Sequence, residues 1–171
     1  MAKWPSVPDC YGWLGLDARG DWYMRDDATQ AQGPFPVAKG SRLRHDKLIE
    51  FIGRNYDADA QGRWFFQNGP QRVFVELECT PHIVRIQPDL GLSLHTGVPW
   101  QAHQAWLDEQ GYLYVSDLHR VARVHTQDMV TAPDWLQVHG IQPQAVLAAR
   151  LPEQFKYVPH PASQALAAGK A

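Results

Sequence analysis

The chain has 171 residues, 44% apolar and 20% charged, which fits one ordinary domain or two small subdomains sharing a core. Its 16 basic and 18 acidic side chains leave a formal charge of −2. That argues against a nucleic-acid partner, because neutralising phosphates takes a concentrated excess of Lys and Arg. No stretch reaches ~18 uninterrupted apolar residues, so no membrane span is expected. The opening Met1-Ala2-Lys3-Trp4-Pro5 lacks a signal-peptide run, and Cys10 and Cys79 are isolated thiols. A cytoplasmic location follows as the expectation.

Residues 1–13 carry two prolines and three aromatics (Trp4, Tyr11, Trp13) and read as an ordered surface arm. Leu14-Gly15-Leu16 leads into a turn, and Trp22 to Arg25 leaves it as a strand. Residues 26–40 show little periodicity and read as a loop with a short strand around Phe35 to Val37. Leu48, Phe51 and Ile52 then recur at helical spacing, with Lys47, Glu50 and Arg54 opposite them. Ser41 or Asp46 suits the start of this helix, and Gly53 with Asn55 suits its end. Arg72 to Glu78 alternates as a strand, and strands follow at His82–Ile86, Leu90–His95, Ala105–Leu107, Tyr112–Val115 and Val121–Val124. Residues 97–104 read as a loop. Pro133 suits the start of a short helix, residues 142–151 are Ala-rich and helical in propensity, and the last twenty residues read as an extended tail. The fold class is α+β, antiparallel and β-rich, with one main amphipathic helix and two related halves built on β-hairpins. The expected division is 1–70, 71–140 and 141–171.

One pattern is written three times: Asp17-Ala18-Arg19-Gly20, Asp59-Ala60-Gln61-Gly62 and Asp108-Glu109-Gln110-Gly111, each followed by large apolar residues. Asp suits the first position of a type I turn and Gly the fourth, where φ is often positive. Each copy predicts a hairpin. The first and third copies are expected to mark equivalent hairpins in the two halves, with the second closing the first half.

Catalytic and metal chemistry find little support in the spacing. Eight histidines include no His-x-x-x-His pair, and Cys79-x-x-His82 has no partner pair, so no metal and no cofactor are expected. Ser93 and His95 lack an elbow motif, and no glycine-rich phosphate loop is present. Recognition remains. Arg42 and Arg44 bracket the expected helix start, where backbone N–H groups and the helix dipole favour an anion. Trp22, Tyr23 and Trp64 belong to the flanking hairpins, and His95 with Thr96 adds an imidazole and a hydroxyl at a strand end. These seven residues are the candidate ligand site. The leading reading is a non-catalytic binding or sensory domain for a small anionic ligand. The alternatives are a protein-interaction module acting as a homodimer, from the many aromatics and proline-rich ends, and an enzyme of unassigned class.

The order of these elements resembles a proteobacterial family of uncharacterised proteins that carries only a domain-of-unknown-function label. Its pattern is a strand, Asp-Gly-x-Trp-x-Tyr, a Gly-x-Pro-Ile-x-Arg stretch, a Leu-Phe helix, a strand pair and a Leu-x-Phe-x-Thr strand. Asp17 to Tyr23, Gly40 to Leu43, Leu48 with Phe51, Val73 to Pro81 and Leu92 to Thr96 stand in those places here. The family's Pro-Pro-Phe-Cys-Gly-Asp opening is absent, and its Asp-Gly becomes Asp-x-x-Gly. The resemblance implies a duplicated two-part fold whose second half looks like a pleckstrin-homology barrel. It also implies a cleft between the halves, holding a nucleotide-like ligand in signalling.

Overall fold

The computed structural model describes residues 7–169. By internal contacts the chain forms two compact units, one of residues 7–17, 21–78 and 157–169, the other of residues 18–20 and 79–156. The first unit holds β1 (Cys10–Leu16), β2 (Trp22–Met24), α1 (Asp27–Gln32), β3 (Ser41–Arg42), α2 (Asp46–Arg54), β4 (Tyr56–Ala58), β5 (Trp64–Asn68) and β6 (Gln71–Leu77). The second holds β7 (His82–Ile86), β8 (Leu92–Leu94), β9 (Pro99–Trp100), β10 (Gln104–Leu107), β11 (Leu113–Ser116), β12 (Val121–Val124), α3 (Ala132–His139), β13 (Gln144–Ala145) and α4 (Leu151–Phe155). A last helix, α5 (Pro161–Gly169), packs on β1 and β6 of the first unit.

The first sheet has the strand order β3-β2-β1-β6-β5-β4, and the second β13-β10-β11-β12-β7-β8-β9. Setting β13 aside, the two orders are the same. Each half is two antiparallel three-strand meanders joined through a central parallel pair, β1 with β6 and β7 with β12. The expectation of two related β-rich halves holds, with parallel pairs inside mostly antiparallel sheets. Local pattern cannot show such pairs, since their partners are dozens of residues apart.

Register then fixes which residues correspond. In β4–β5 Ala58 faces Trp64, and in β10–β11 Leu107 faces Leu113. Asp59 and Asp108 follow those strands directly and make the same bonds. Asp59 Oδ1 accepts from the backbone N–H groups of Gln61 and Arg63, and Asp108 Oδ1 from those of Gln110 and Tyr112. So all three copies of the repeat are hairpin turns, but the second and third are the equivalent pair. The counterpart of the first copy is the turn from Gln87 to Gly91, where Leu90 takes a left-handed φ of 67° in the place of Gly20 at 85°. No Asp-x-x-Gly is written there, which is why the sequence pairs the copies differently.

Both sheets are curled. Residues 101–103 alone connect β9 to β10, and four residue steps span at most ~14 Å. Flat, these strands would lie about 24 Å apart, at ~4.8 Å per strand. The second sheet therefore bends until they approach, but β9 and β10 are not hydrogen-bonded neighbours. The result is a curled open sheet, in place of the closed barrel implied by the resemblance. In the first sheet Trp22 of β2 meets Tyr56 of β4 edge-on at 5.2 Å, although three strands separate them. The concave faces carry the cores: Leu14, Leu16, Trp22, Phe66 and Val75 in one, and Val84, Ile86, Leu94, Leu113, Val115 and Val124 in the other. α2 covers the first through Phe51, which is edge-on to Phe66, and α3 covers the second through Ala132 and Trp135.

Several local expectations change. Residues 10–13, expected in a surface arm, form a central strand with residues 14–16; Trp4 and Pro5 lie outside the described residues. The 26–40 segment contains α1 and is tied down by buried Arg25, whose guanidinium donates to the carbonyls of Gly12, Gly33 and Ala38. The Ala-rich 142–151 stretch forms β13, paired parallel to β10, then a 3₁₀ turn. The tail folds as α4 and α5, with Ala162 N–H donating to buried Glu76. The boundary expected at residue 70 falls inside the β5–β6 hairpin, whose ladder holds its two strands together.

Gly20 and Gly111 share a left-handed φ (85° and 89°) but differ in surroundings. A Cβ at Gly20 would lie 2.8 Å from His95 Cβ, whereas one at Gly111 would meet open space. Gly111→Ala is expected to cost about 1 kcal/mol of backbone strain. Gly20→Ala adds overpacking of about 1–3 kcal/mol to that. Urea unfolding of both variants checks this, and equal losses would show that the contact at His95 relaxes freely.

Asp128 generates a pH dependence. It is buried, receives Arg85 at 2.7 Å and accepts from Ile86 N–H. Burial pushes its carboxyl up, but Arg85 and the Ile86 N–H outweigh that and hold it below the usual carboxylate range. This stability is present above an unfolded-state value near ~4 and is lost as pH falls through the lower folded value. Wild type should exceed Asp128→Asn in melting temperature at pH 7, with the gap closing below about pH 4. A gap independent of pH would rule out the ion pair as its source.

Candidate functional site

Of the seven residues expected to form a ligand site, Trp22, Tyr23, Arg42, Arg44 and Trp64 lie in the first unit and His95 and Thr96 in the second. Trp22 is 2% exposed and sits in the core against Tyr56, which also packs on Trp64 at 4.8 Å. Strand alternation turns Tyr23 to the opposite face, beside its cross-strand neighbour Arg42. Those two residues are brought together, among acids. Arg42 stands 3.7 Å from Asp21, and Lys39 lies over the Tyr23 ring and within 3.5 Å of Asp17 and Glu78. Burial and Asp17 push the Tyr23 phenol up. Burial pulls Lys39 down, but Glu78 and Asp17 outweigh it and hold its ammonium charged to higher pH. Local carboxylates thus already balance the cations on this face.

Arg42 lies on β3, and the cap of α2 is His45, whose Nδ1 accepts from Leu48 N–H. Arg44 is an exposed residue two positions before that helix. His95 belongs to the second unit, where its Nδ1 accepts from Ile83 N–H and its Cβ closes against Gly20. Thr96 follows it, half-buried.

The second unit contains a cleft of ≈ 760 Å³ that the sequence did not single out. It opens where the curled sheet fails to close. One wall is the start of β8 with β9 (Leu92, Trp100), the floor is the 101–103 connection, and α3 supplies Trp135 and His139. Register seats Trp100 opposite Leu92, and its indole N–H donates to Asp117 Oδ2 at 3.0 Å. Asp117 is in turn held by the backbone N–H groups of His119 and Arg120. These bonds fix the Trp100 wall.

Trp135 and His139 lie one helical turn apart, which brings their rings to 4.8 Å. His139 Nδ1 is 2.9 Å from the Trp135 carbonyl. A carbonyl only accepts, so Nδ1 carries the proton and Nε2 is the acceptor of the neutral ring. The ionisable groups lining the cleft are His103 and His139, which are neutral or positive, and no carboxylate lines it. The Trp-x-x-x-His spacing was visible in the sequence. Its meeting with β9 across 35 residues was not.

A second cavity of ≈ 310 Å³ lies within the first unit, between its concave face and α2. Its walls are apolar, and its polar side chains are Asn68, Gln71 and Cys10. Among the described residues no group of three or more His, Cys, Asp or Glu is placed to hold a metal ion. No helix among them is long and apolar enough to cross a membrane.

The comparisons with known proteins bear on the fold alone. No curated protein matches the chain. A DUF1285 family protein from Shewanella baltica OS155 is similar in structure at 15% identity, with a TM-score of 0.48, over 75% of this chain and 95% of that one. A DUF1285 family protein from Silicibacter pomeroyi DSS-3 is similar at 12% identity, with a TM-score of 0.50, over 74% and 69%. A family model, DUF2944, described as "Protein of unknown function (DUF2946)", matches residues 1–168, so the chain belongs to that uncharacterised family.

Proposed function

We propose that this protein is a non-catalytic binding or sensory domain for a small, anionic, nucleotide-like ligand, and that the cleft of the second unit is its site. The observation that carries the reading is the lining of that cleft. Its ≈ 760 Å³ lies within the range of small-molecule sites. Trp100 gives a fixed aromatic wall on which a planar ring can stack. Gln101, His103 and His139 give hydrogen-bonding groups at the rim, and no acid is among the lining residues. The face carrying Arg42 and Tyr23 suits an anion less well, because Asp17, Asp21 and Glu78 already oppose its cations.

Thermal unfolding with AMP, ADP or inorganic phosphate tests this. A nucleotide present at ~100 times its dissociation constant should add about 2.7 kcal/mol. For a chain of this size that raises the midpoint by about 5–10 °C. The shift should shrink in His103→Ala and His139→Ala, both exposed positions that tolerate substitution, and persist in Arg42→Ala. No stabilisation by any of the three compounds, or loss only in Arg42→Ala, would overturn the assignment.

A further inference from the structure

The cavity of the first unit differs in chemistry from the cleft of the second. It lies inside the curl of the first sheet and is bounded by β1, β2, β5 and β6 on one side and α2 on the other. Leu48 and Phe51 of α2 are each 39% exposed, and both line it. Opposite them stand Trp13, Leu14, Met24, Phe66 and Val73. No charged side chain lines the cavity. Its polar groups gather at one end, because Asn68 and Gln71 face each other as the last pair of the β5–β6 hairpin. Gln71 Nε2 donates to the Pro8 carbonyl, which leaves its Oε1 as an acceptor. Cys10 is placed near them by the pairing of its Cα with Val73. Burial pushes the Cys10 thiol up, so it is a neutral wall group and a poor nucleophile.

We infer that this cavity is a second binding site, for an uncharged amphiphile with a single short apolar chain and a hydrogen-bonding head. The chain lies along Leu48, Phe51, Phe66 and Met24, and the head meets Asn68 and Gln71 at the β5–β6 end. A volume of ≈ 310 Å³ is at the small end for ligand sites, which selects a short chain. A charged head is disfavoured because it would find no oppositely charged side chain in the lining, whereas a hydroxyl finds an amide partner. The inference does not depend on the nucleotide reading, since the two cavities share no residue.

Cys10 reports on this site directly. In a full-length Cys79→Ser protein, the rate of Cys10 alkylation by iodoacetamide is followed with and without 1-decanol. The expected result is a saturable slowing of about tenfold when decanol reaches ~10 times its dissociation constant, by simple occupancy. Decanoate and decylamine at the same concentration should protect far less. Val73→Phe, which fills the cavity, should abolish the protection, while His139→Ala leaves it intact. Should Val73→Phe fail to fold, Leu48→Phe at an exposed helix position serves instead. The inference is overturned by an unchanged alkylation rate, by protection that survives the cavity-filling variant, or by stronger protection from decanoate. Protection that rises with protein concentration alone would assign the cavity to a second copy of the chain and overturn it equally.

Discussion

Three residues, 101–103, must carry the chain from one edge of a six-strand array to the other, and much of the second unit follows from that length. A flat sheet cannot satisfy it, so the strands curl until β9 and β10 approach. Curling makes one face concave, and Val84, Leu94, Leu113, Val115 and Val124 fill it. Where the edges approach without pairing, an opening is left, and Trp135 of α3 plugs part of it. The remainder is the cleft. The first unit meets the same topological demand with a longer connection, residues 43–55, which has room for α2. There the covering helix comes from the crossover itself, and in the second unit it comes after the sixth strand. The same sheet topology thus leaves an aromatic, imidazole-lined cleft in one unit and an apolar cavity in the other.

The correspondence between the halves extends to a single interaction whose two parts have changed places. Phe74 of β6 and Arg123 of β12 occupy equivalent ladder positions, opposite Phe65 and Tyr114. Arg63 and Tyr112 are equivalent too, each four residues after the turn aspartate. In the first unit Arg63 lies over the Phe74 ring at 4.7 Å, and in the second Arg123 lies over the Tyr112 ring at 3.5 Å. What is kept is one cation against one ring, worth about 0.5–2 kcal/mol depending on desolvation. Which strand supplies the cation is free to vary. The aspartates adapt in step: Asp59 Oδ2 takes Arg63 at 2.7 Å, and Asp108 Oδ2 takes the Tyr114 hydroxyl at 2.9 Å. Burial first, and then this bond, pushes the Tyr114 phenol up.

What could be read from the sequence was what local chemistry decides. Asp-x-x-Gly marked three turns because an aspartate accepting nearby backbone N–H groups and a glycine at positive φ need no distant partner. The alternation of Arg72 to Leu77 and the 3.6-residue period of Leu48, Phe51 and Ile52 were equally local. The parallel pairs were not legible, because nothing in Leu14 points to Val75 or in Val84 to Val124. Pairing the turn copies by their letters therefore matched the wrong hairpins. Leu90 shows why, since it holds by tertiary packing the backbone conformation that Gly20 holds by composition.

The candidate site was legible only in fragments for the same reason. Arg42 and Trp22 carry chemistry that fits an anionic ligand, but one-residue alternation puts Tyr23 with Arg42 on one face and sends Trp22 into the core on the other. His95 lies in the second unit, where its Cβ stands beside Gly20. Trp100, His103, Trp135 and His139 come from an apparent loop and a short helix, and only the curl of the sheet brings them to one opening. A cleft left by an unclosed sheet is invisible to a search for motifs. It is found by asking where a sheet of known strand order cannot close, and which side chains stand at the gap.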